Sequence, residues 1–172
     1  MNPEVVPTHS RNDINSETVS VVTHAFARNI QVVKASHGKI SHVILQAGVG
    51  GMAAAMVAGI AHYLENVPKI IVVEPQSAAC VLESIRSSKI KKISISKESL
   101  MGGMSCDEVS LLPWEILKSS VDYCVTVSDD YISKTIKSLA NCKFSEEKIV
   151  GGECSTPRII SLIGLNNDEK VK

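Results

Sequence analysis

The chain has 172 residues, 44% of them hydrophobic, and its 18 basic residues balance 18 acidic residues. This length and apolar content provide one hydrophobic core, so we expect a single domain. With 3% aromatic residues and no net charge, the sequence lacks the basic, aromatic-rich surface that holds nucleic acids. We therefore expect no nucleic-acid partner.

The sequence also argues against a membrane or metal-binding protein. Its longest apolar run, residues 50–61, is shorter than the roughly 20 residues of a membrane span and follows a helical period. Residues 1–16 show no secretory pattern and are predicted to be flexible, which favours a cytoplasmic location. The five cysteines form no CxxC pair and no zinc-like spacing, so we predict reduced thiols and no metal site.

The first half of the chain alternates between helical and strand patterns. An amphipathic period predicts a helix over residues 17–35. Residues 41–47, SHVILQA, form a continuous apolar run typical of a central parallel strand, and a helix is predicted directly after it over residues 51–65. Residues 69–75, KIIVVEP, predict a second buried strand, and the next residues, SAACVLESIRSS, predict a short helix. This alternation is typical of βαβ units.

The second half continues the pattern less regularly. Its predicted elements are, in order, a weak strand KKISIS, a helix PWEILKSS with Pro113 in its first turn, a strand DYCVTVSD, a helix capped near Ser128 or Asp129, a short KIV segment, a turn GGECST and a helix from Pro157. The sequence therefore predicts an α/β fold with an open, mainly parallel sheet and helices on both faces. Ligands of such sheets bind beyond the carboxyl ends of the strands.

Three glycines, Gly48, Gly50 and Gly51, lie where the first buried strand gives way to a helix. Glycine allows a tight turn that exposes backbone N–H groups, and these groups bind anions together with the positive end of the helix dipole. The pattern therefore indicates a phosphate site. Close packing of the strand against the helix is the alternative role for the same glycines.

A dinucleotide site is an alternative to a simple phosphate site. Residues 48–53, GVGGMA, fit the GxGxxA pattern, and Glu74 ends the next strand, where a ribose-binding acid would lie. Against this, the motif starts about 40 residues into the chain, Glu74 precedes a proline, and little chain remains for a redox substrate domain. Binding of NAD or FAD stays the second hypothesis.

A family resemblance rests on four segments that follow one another within residues 41–155. They are HVILQAGVGGMAAAMVA, KIIVVEP, LMGGMSCDEVSLLPWEIL and GGECS. Together they resemble the pyridoxal-phosphate lyases of the tryptophan synthase β fold, fold type II, and among these the diaminopropionate ammonia-lyases. The resemblance implies pyridoxal 5'-phosphate as cofactor. It also implies α,β-elimination of 2,3-diaminopropionate or a related amino acid to pyruvate and ammonia.

The resemblance assigns the 5'-phosphate of the cofactor to the glycine turn. The residues implied are Gly48, Val49, Gly50, Gly51 and Met52. It also implies that Glu74 borders the cofactor cleft, for which a surface-capping carboxylate is the alternative.

The resemblance further implies residues near the ring and the substrate. Cys154, or as the second candidate Ser155, corresponds to the residue beside the pyridine nitrogen, and a buried structural thiol is the alternative role for Cys154. A neutral thiol or hydroxyl there favours elimination, because it does not stabilise a protonated ring. Cys106 and Glu108 are implied on the substrate side, although Asp107 replaces a glycine that is usual in the family.

The family's Schiff-base lysine, carried in a motif like NAFKMLGG before the glycine turn, has no counterpart in this sequence. Lys34 and Lys39 lack the motif's neighbours and are predicted to be solvent-exposed, so no catalytic residue is identified. The chain corresponds to a partial domain, truncated at its N-terminal side, and we expect residual or no catalysis from it alone. A non-enzymatic cofactor-binding or assembly subunit is the further alternative, acting as a homodimer or with a complementing N-terminal portion.

Overall fold

The structure is a computed structural model that describes residues 4–7, 40–144 and 146–165. The strands in this part of the chain are β1 (Glu4–Pro7), β2 (His42–Gln46), β3 (Lys69–Pro75) and β4 (Tyr123–Val127). The helices are α1 (Gly51–Tyr63), α2 (Cys80–Ser87), α3 (Leu111–Ser120), α4 (Ile132–Ala140) and α5 (Pro157–Leu165). Short 3-10 turns occupy Gly102–Met104 and Asp129–Tyr131.

The four strands form one sheet in the order β1, β4, β3, β2. Strands β2, β3 and β4 run parallel, whereas β1 pairs antiparallel with β4 in a register that places Glu4 opposite Thr126. The predicted α/β fold with a mainly parallel sheet is therefore confirmed.

Two details of the sheet differ from the sequence prediction. Glu4–Pro7 is a strand, although residues 1–16 were expected to be flexible. Its backbone bonds come from β4, a partner distant in the chain that no local pattern reveals. Strand β2, expected at the centre, has a strand partner only on its β3 side within the described residues.

Strand β3 lies in the interior, and its residues 70–75 are all buried. Alternate side chains point to opposite faces of the sheet, so each face acquires its own core. One core contains side chains of β2, β3 and β4 packed against α1, α2 and α3: Leu45, Ile70, Val72, Cys124, Val57, Val81 and Leu117. The other contains side chains packed against α4 and α5: Ile71, Val73, Val125, Val127, Ile132, Ile160 and Leu165. Helices thus cover both faces, as predicted.

The helix boundaries follow local signals. Helix α1 is rich in alanine, whose small side chain allows close packing, and it ends within two residues of its predicted end. Pro113 lies in the first turn of α3. Ser128 Oγ accepts a hydrogen bond from Asp130 N at 3.3 Å and caps the 3-10 turn that leads into α4, whereas α4 itself has no side-chain cap.

Residues 91–96, predicted as a weak strand, have no strand partner in the described structure. Their backbone makes isolated bonds instead: Lys91 N donates to Ser84 Oγ at 3.0 Å and Ile93 N donates to Asp107 O at 2.8 Å. The predicted helix over residues 17–35 lies outside the described residues. Among the residues described, no helix has both the length and the apolar content to cross a membrane.

Candidate functional site

Three segments meet beyond the carboxyl end of β2: the glycine loop (residues 48–52), the cysteine loop (residues 102–108) and the C-terminal turn (residues 151–155). A Cβ added at Gly48 would stand 2.9 Å from both Cys106 Sγ and the Gly103 carbonyl oxygen. A Cβ added at Gly103 would stand 3.4 Å from Cys154 Sγ. The cysteine loop therefore contacts the other two segments, and the structure brings Gly48, Cys106 and Cys154 into one region.

Gly50 shapes the glycine loop. Its φ of 90° lies in the left-handed region, which favours glycine. A Cβ at this buried position would also approach Leu117 Cδ1 and Pro113 Cβ to 3.0 Å. Two independent constraints, the backbone angle and the space, thus require glycine at position 50.

The glycine loop leaves the amino end of α1 open. The N-cap residue is Gly50, which has no side chain to accept a hydrogen bond, and the first bond of the helix runs from Ala54 N to Gly50 O at 2.9 Å. The N–H groups of Gly51, Met52 and Ala53 have no acceptor among the described residues. These amides and the dipole of a 13-residue helix form an anion-binding arrangement.

Space for a ligand borders this helix end. A Cβ added at Gly51 or at Gly102 would meet no atom within 4 Å. The side chains of Val49 and Met52 are 47% and 41% exposed. The glycine loop is therefore open to an incoming group at Gly51.

Glu74 lies in the interior of the protein, which contradicts the alternative of a surface-capping carboxylate. Its side chain is 0% exposed, and its Oε1 and Oε2 accept hydrogen bonds from Val81 N and Leu82 N, both at 2.8 Å. Burial raises the pKa of this carboxyl to about 7, although the two amide bonds act in the opposite direction. Glu74 is a buried cap of α2 and lies neither at the surface nor in the glycine loop.

The remaining predicted residues lie in the cysteine loop and the C-terminal turn. Cys106 is half-buried against Gly48, and burial raises the pKa of its thiol, so the thiol stays protonated. Ser155 Oγ donates to Gly152 O at 2.8 Å and so stabilises the C-terminal turn. Glu108 is exposed and interacts electrostatically with Lys92, and its place on the substrate side stays a prediction.

Two residues near the glycine loop were missed from the sequence. Gln46 ends β2, and its buried Oε1 has no hydrogen-bond partner among the described residues. A polar residue at the last position of an apolar strand was the available signal. Cys80 is buried, and its Sγ donates to Gly48 O at 3.5 Å. No sequence pattern distinguishes it from an ordinary buried thiol.

A surface cavity of about 430 Å³ lies beside α2, and its lining includes none of residues 48–52. Its charged groups all form salt bridges, and that of Lys92 is made with Asp107 outside the lining, at 3.1 Å. Arg86 and Lys91 contact Glu83 at 2.9 and 2.6 Å. The charged side chains that line this cavity are thus occupied in salt bridges, and the glycine loop remains the candidate site.

The family follows from this fold and site together. Residues 4–157 match the sequence model of the family described as pyridoxal-phosphate dependent enzyme, and the chain belongs to that family. The family resemblance, the fold class and pyridoxal phosphate as the cofactor of the family are thereby confirmed.

Individual relatives of known name give a narrower comparison than the family does. The chain is 32% identical over 118 residues to diaminopropionate ammonia-lyase of Escherichia coli (strain K12), covering 66% of this chain and 29% of that protein. It is 27% identical over 132 residues to the enzyme of the same name from Salmonella typhimurium, covering 74% of this chain and 33% of that protein. The chain thus spans about a third of the length of these relatives.

Solved structures show the same relationship. Holo diaminopropionate ammonia lyase from Escherichia coli aligns with a TM-score of 0.69 at 25% identity, over 87% of this chain and 37% of that one. Serine racemase from Dictyostelium discoideum aligns with a TM-score of 0.72 at 19% identity, over 88% of this chain and 46% of that one. The second likeness shows the shared fold.

The glycine loop fits the phosphate of this cofactor. Gly51, Met52 and Ala53 present three N–H groups without acceptors in the described structure, and a phosphate monoester supplies several acceptor oxygens. Gly51 and Gly102 both have open space beside them.

Proposed function

We propose that the chain binds pyridoxal 5'-phosphate through the glycine loop, with the phosphate on the N–H groups of Gly51, Met52 and Ala53. The observation that carries this proposal is the open amino end of α1 behind the left-handed Gly50. No lysine or arginine occurs in residues 48–52, so the backbone and the helix dipole supply the attraction.

Titration of the purified chain with pyridoxal phosphate, followed by cofactor absorbance and calorimetry, tests this proposal. We expect saturable binding that inorganic phosphate weakens, and much weaker binding of pyridoxal, which lacks the phosphate. NAD and FAD serve as the comparison ligands. Tight binding of either dinucleotide with no response to pyridoxal phosphate would overturn the proposal in favour of a dinucleotide site.

For the complete catalytic protein we propose the elimination chemistry of diaminopropionate ammonia-lyase, with a small amino acid as substrate and pyruvate and ammonia as products. Bound pyridoxal phosphate supplies the electron sink for loss of a proton from the amino acid. In this chain Cys154 lies beside the cysteine loop and is proposed to face the ring nitrogen as a neutral thiol. Cys106 is proposed to border the substrate.

The chain alone is proposed to have residual or no activity. Lys34 and Lys39, the lysines closest before the glycine loop, lie outside the described residues and lack the family's motif. Incubation with 2,3-diaminopropionate, with pyruvate measured through a coupled dehydrogenase, is expected to give a rate near the background. Turnover at ordinary enzyme rates by the pure chain would contradict this proposal.

An assembly role is the second candidate, supported by the edge position of β2 in the described sheet. The partner would be a complementing chain that carries the lysine motif, or a second copy of this chain. Size-exclusion chromatography with light scattering is expected to show the complex. Monomers at all concentrations, alone and in the mixture, would rule out this role.

We also propose a cytoplasmic location, supported by five cysteines that form no disulfide.

A further inference from the structure

Cys80 connects the buried carboxyl of Glu74 to the glycine loop. The Cys80 thiol is fully buried at the first residue of α2 and donates to the Gly48 carbonyl oxygen at 3.5 Å. Cys80 directly precedes Val81, whose N–H donates to Glu74 Oε1 at 2.8 Å. Two side chains that the cofactor assignment leaves without a direct role thus form a continuous path to the first residue of the loop.

Glu74 is a fixed point in this path. It extends from β3, which has strand partners on both sides, and its two oxygens are held by Val81 N and Leu82 N. A 0% exposed side chain with both oxygens bonded has little freedom to move. Its position therefore defines where Cys80, one residue before Val81, can place its sulfur.

Cys80 acts as a donor and not as a reactive thiolate. Burial first, and the nearby Glu74 second, raise the pKa of its thiol to about 12. The thiol proton is therefore present at all physiological pH values and is available to the Gly48 carbonyl.

The glycine loop is held by a small number of bonds. Ala47 N donates to Val73 O at 3.0 Å, Val49 O accepts from Ser110 N at 3.0 Å, and Gly48 O accepts from Cys80. These bonds orient residues 47–49, which precede Gly50 and the open amides of α1. Removing one of them affects the conformation in which those amides point outward.

We propose that Glu74 and Cys80 are positioning residues of the glycine loop, with Glu74 acting through Cys80 on the Gly48 carbonyl. This proposal rests on the proposed function for the identity of the ligand, but the effect on loop conformation is independent of any ligand. A residue that only caps α2 would instead stabilise that helix and leave the glycine loop unaffected.

Hydrogen–deuterium exchange of the ligand-free chain distinguishes these two roles. In Cys80→Ala we expect exchange in residues 48–54, read at the hydrogen-bonded amide of Ala54, to accelerate about fivefold, as the loss of one weak hydrogen bond implies, with residues 83–88 unchanged. Cys80→Ser, which keeps a donor, is expected to stay within about twofold of wild type. Glu74→Gln is expected to accelerate both regions.

Cys124→Ala provides the matched control, because Cys124 is a buried thiol of the same core and lies on β4, which pairs with β3 and not with β2 in the described sheet. It is expected to lower stability without selective acceleration in residues 48–54. Unchanged loop exchange in Cys80→Ala, or equal exchange in Cys80→Ala and Cys80→Ser, would overturn the positioning role.

Titration of the same variants with pyridoxal phosphate separates the two proposals. The dissociation constant is expected to rise about fivefold in Cys80→Ala and to return towards the wild-type value in Cys80→Ser. If wild type binds no pyridoxal phosphate while the exchange results hold, the proposed function fails and the positioning role stands. If wild type and Cys80→Ala bind it equally and exchange equally, the positioning role fails.

Discussion

The junctions from β2 to α1 and from β3 to α2 follow neighbouring strands of the sheet. They differ in whether the N–H groups at the start of the helix receive an acceptor from the chain. Each helix begins with N–H groups that have no partner within the helix. Before α2, Glu74 provides a buried carboxyl that accepts from Val81 and Leu82. Before α1, Gly50 provides no side chain and the first amides stay without an acceptor in the described structure. The junction from β3 to α2 is therefore called the closed junction, and the junction from β2 to α1 the open junction.

At α2 the acceptor of the helix N–H groups is the chain's own Glu74 carboxyl. At α1 the same kind of N–H groups can bind an external anion. A third junction, from β4 towards α4, lies between these extremes, because Ser128 Oγ accepts one amide, that of Asp130. Substitutions at the three junctions therefore test a single idea, namely that one residue between strand and helix, or at the end of the strand, decides whether the helix end is closed.

The largest effect is expected from Gly50→Ala at the open junction. The methyl group would meet Leu117 and Pro113 at 3.0 Å, and alanine is strained at a φ of 90°. Together these terms lower the free energy of unfolding by about 4 kcal/mol, measured by urea denaturation. Gly51→Ala is the control, since its Cβ meets nothing within 4 Å and stability should be kept. A Gly50→Ala loss below about 1 kcal/mol would contradict the requirement for glycine.

At the closed junction, Glu74→Gln is expected to change how stability depends on pH. Because burial raises the pKa of Glu74 from 4.5 to about 7, the folded state binds this proton more tightly than the unfolded state. Its contribution is fully present below pH 4.5 and is lost as the pH rises through 7. Wild type should therefore lose about 3 kcal/mol relative to Glu74→Gln between pH 4.5 and pH 8.

Urea denaturation at several pH values measures this difference. Glu83→Gln provides a control of opposite sign, because Lys91 and Arg86 lower the pKa of Glu83. The Glu83 contribution is present above the usual pKa and is lost as the pH falls. A difference between wild type and Glu74→Gln that stays flat with pH would be inconsistent with a buried, titrating carboxyl.

A smaller effect is expected from Ser128→Ala at the third junction. Loss of this single cap should cost about 1 kcal/mol and speed hydrogen exchange at Asp130. The matched control is Ser133→Ala, at an exposed position within α4 where alanine is the better helix former. Equal stabilities for the two variants would show that Ser128 does not act as a cap.

The smallest change in stability is expected from closing the open junction with a carboxylate. Met52→Glu places a negative charge in the first turn of α1 at an exposed site, which should stabilise the chain by about 0.5 kcal/mol. The same charge should weaken binding of pyridoxal phosphate about fivefold by competing for the amides. Met52→Gln, with the same shape and no charge, should bind like wild type. Equal binding by the two variants would place the phosphate elsewhere.

The sequence was informative wherever apolar runs decide structure. Strands β2, β3 and β4 are continuous apolar segments, and α1 follows its glycines directly. Strand β1 was missed because residues 4–7 become a strand only through pairing with β4. For residues 91–96 a strand was predicted that the structure does not have. Their polar and apolar residues alternate as in a strand, but their backbone bonds to Ser84 and Asp107.

The site was predictable to the extent that it depends on backbone geometry. Glycines after a buried strand indicated the open helix end. The direction of a side chain at a strand end could not be read in the same way. Glu74 points under α2 into the core, and only the packing of α2 against the sheet determines this. The contact between Cys80 and Gly48 likewise depends on that packing.

The antiparallel pairing of β1 with β4 has a consequence for the order of folding. Glu4 lies opposite Thr126, so β1 pairs with a strand that follows β2 and β3 in the chain. Closing so long a loop is slow compared with forming the local β2, α1, β3 unit. The parallel strands can therefore assemble first, and the amino-terminal strand joins the sheet only after β4 has been synthesised.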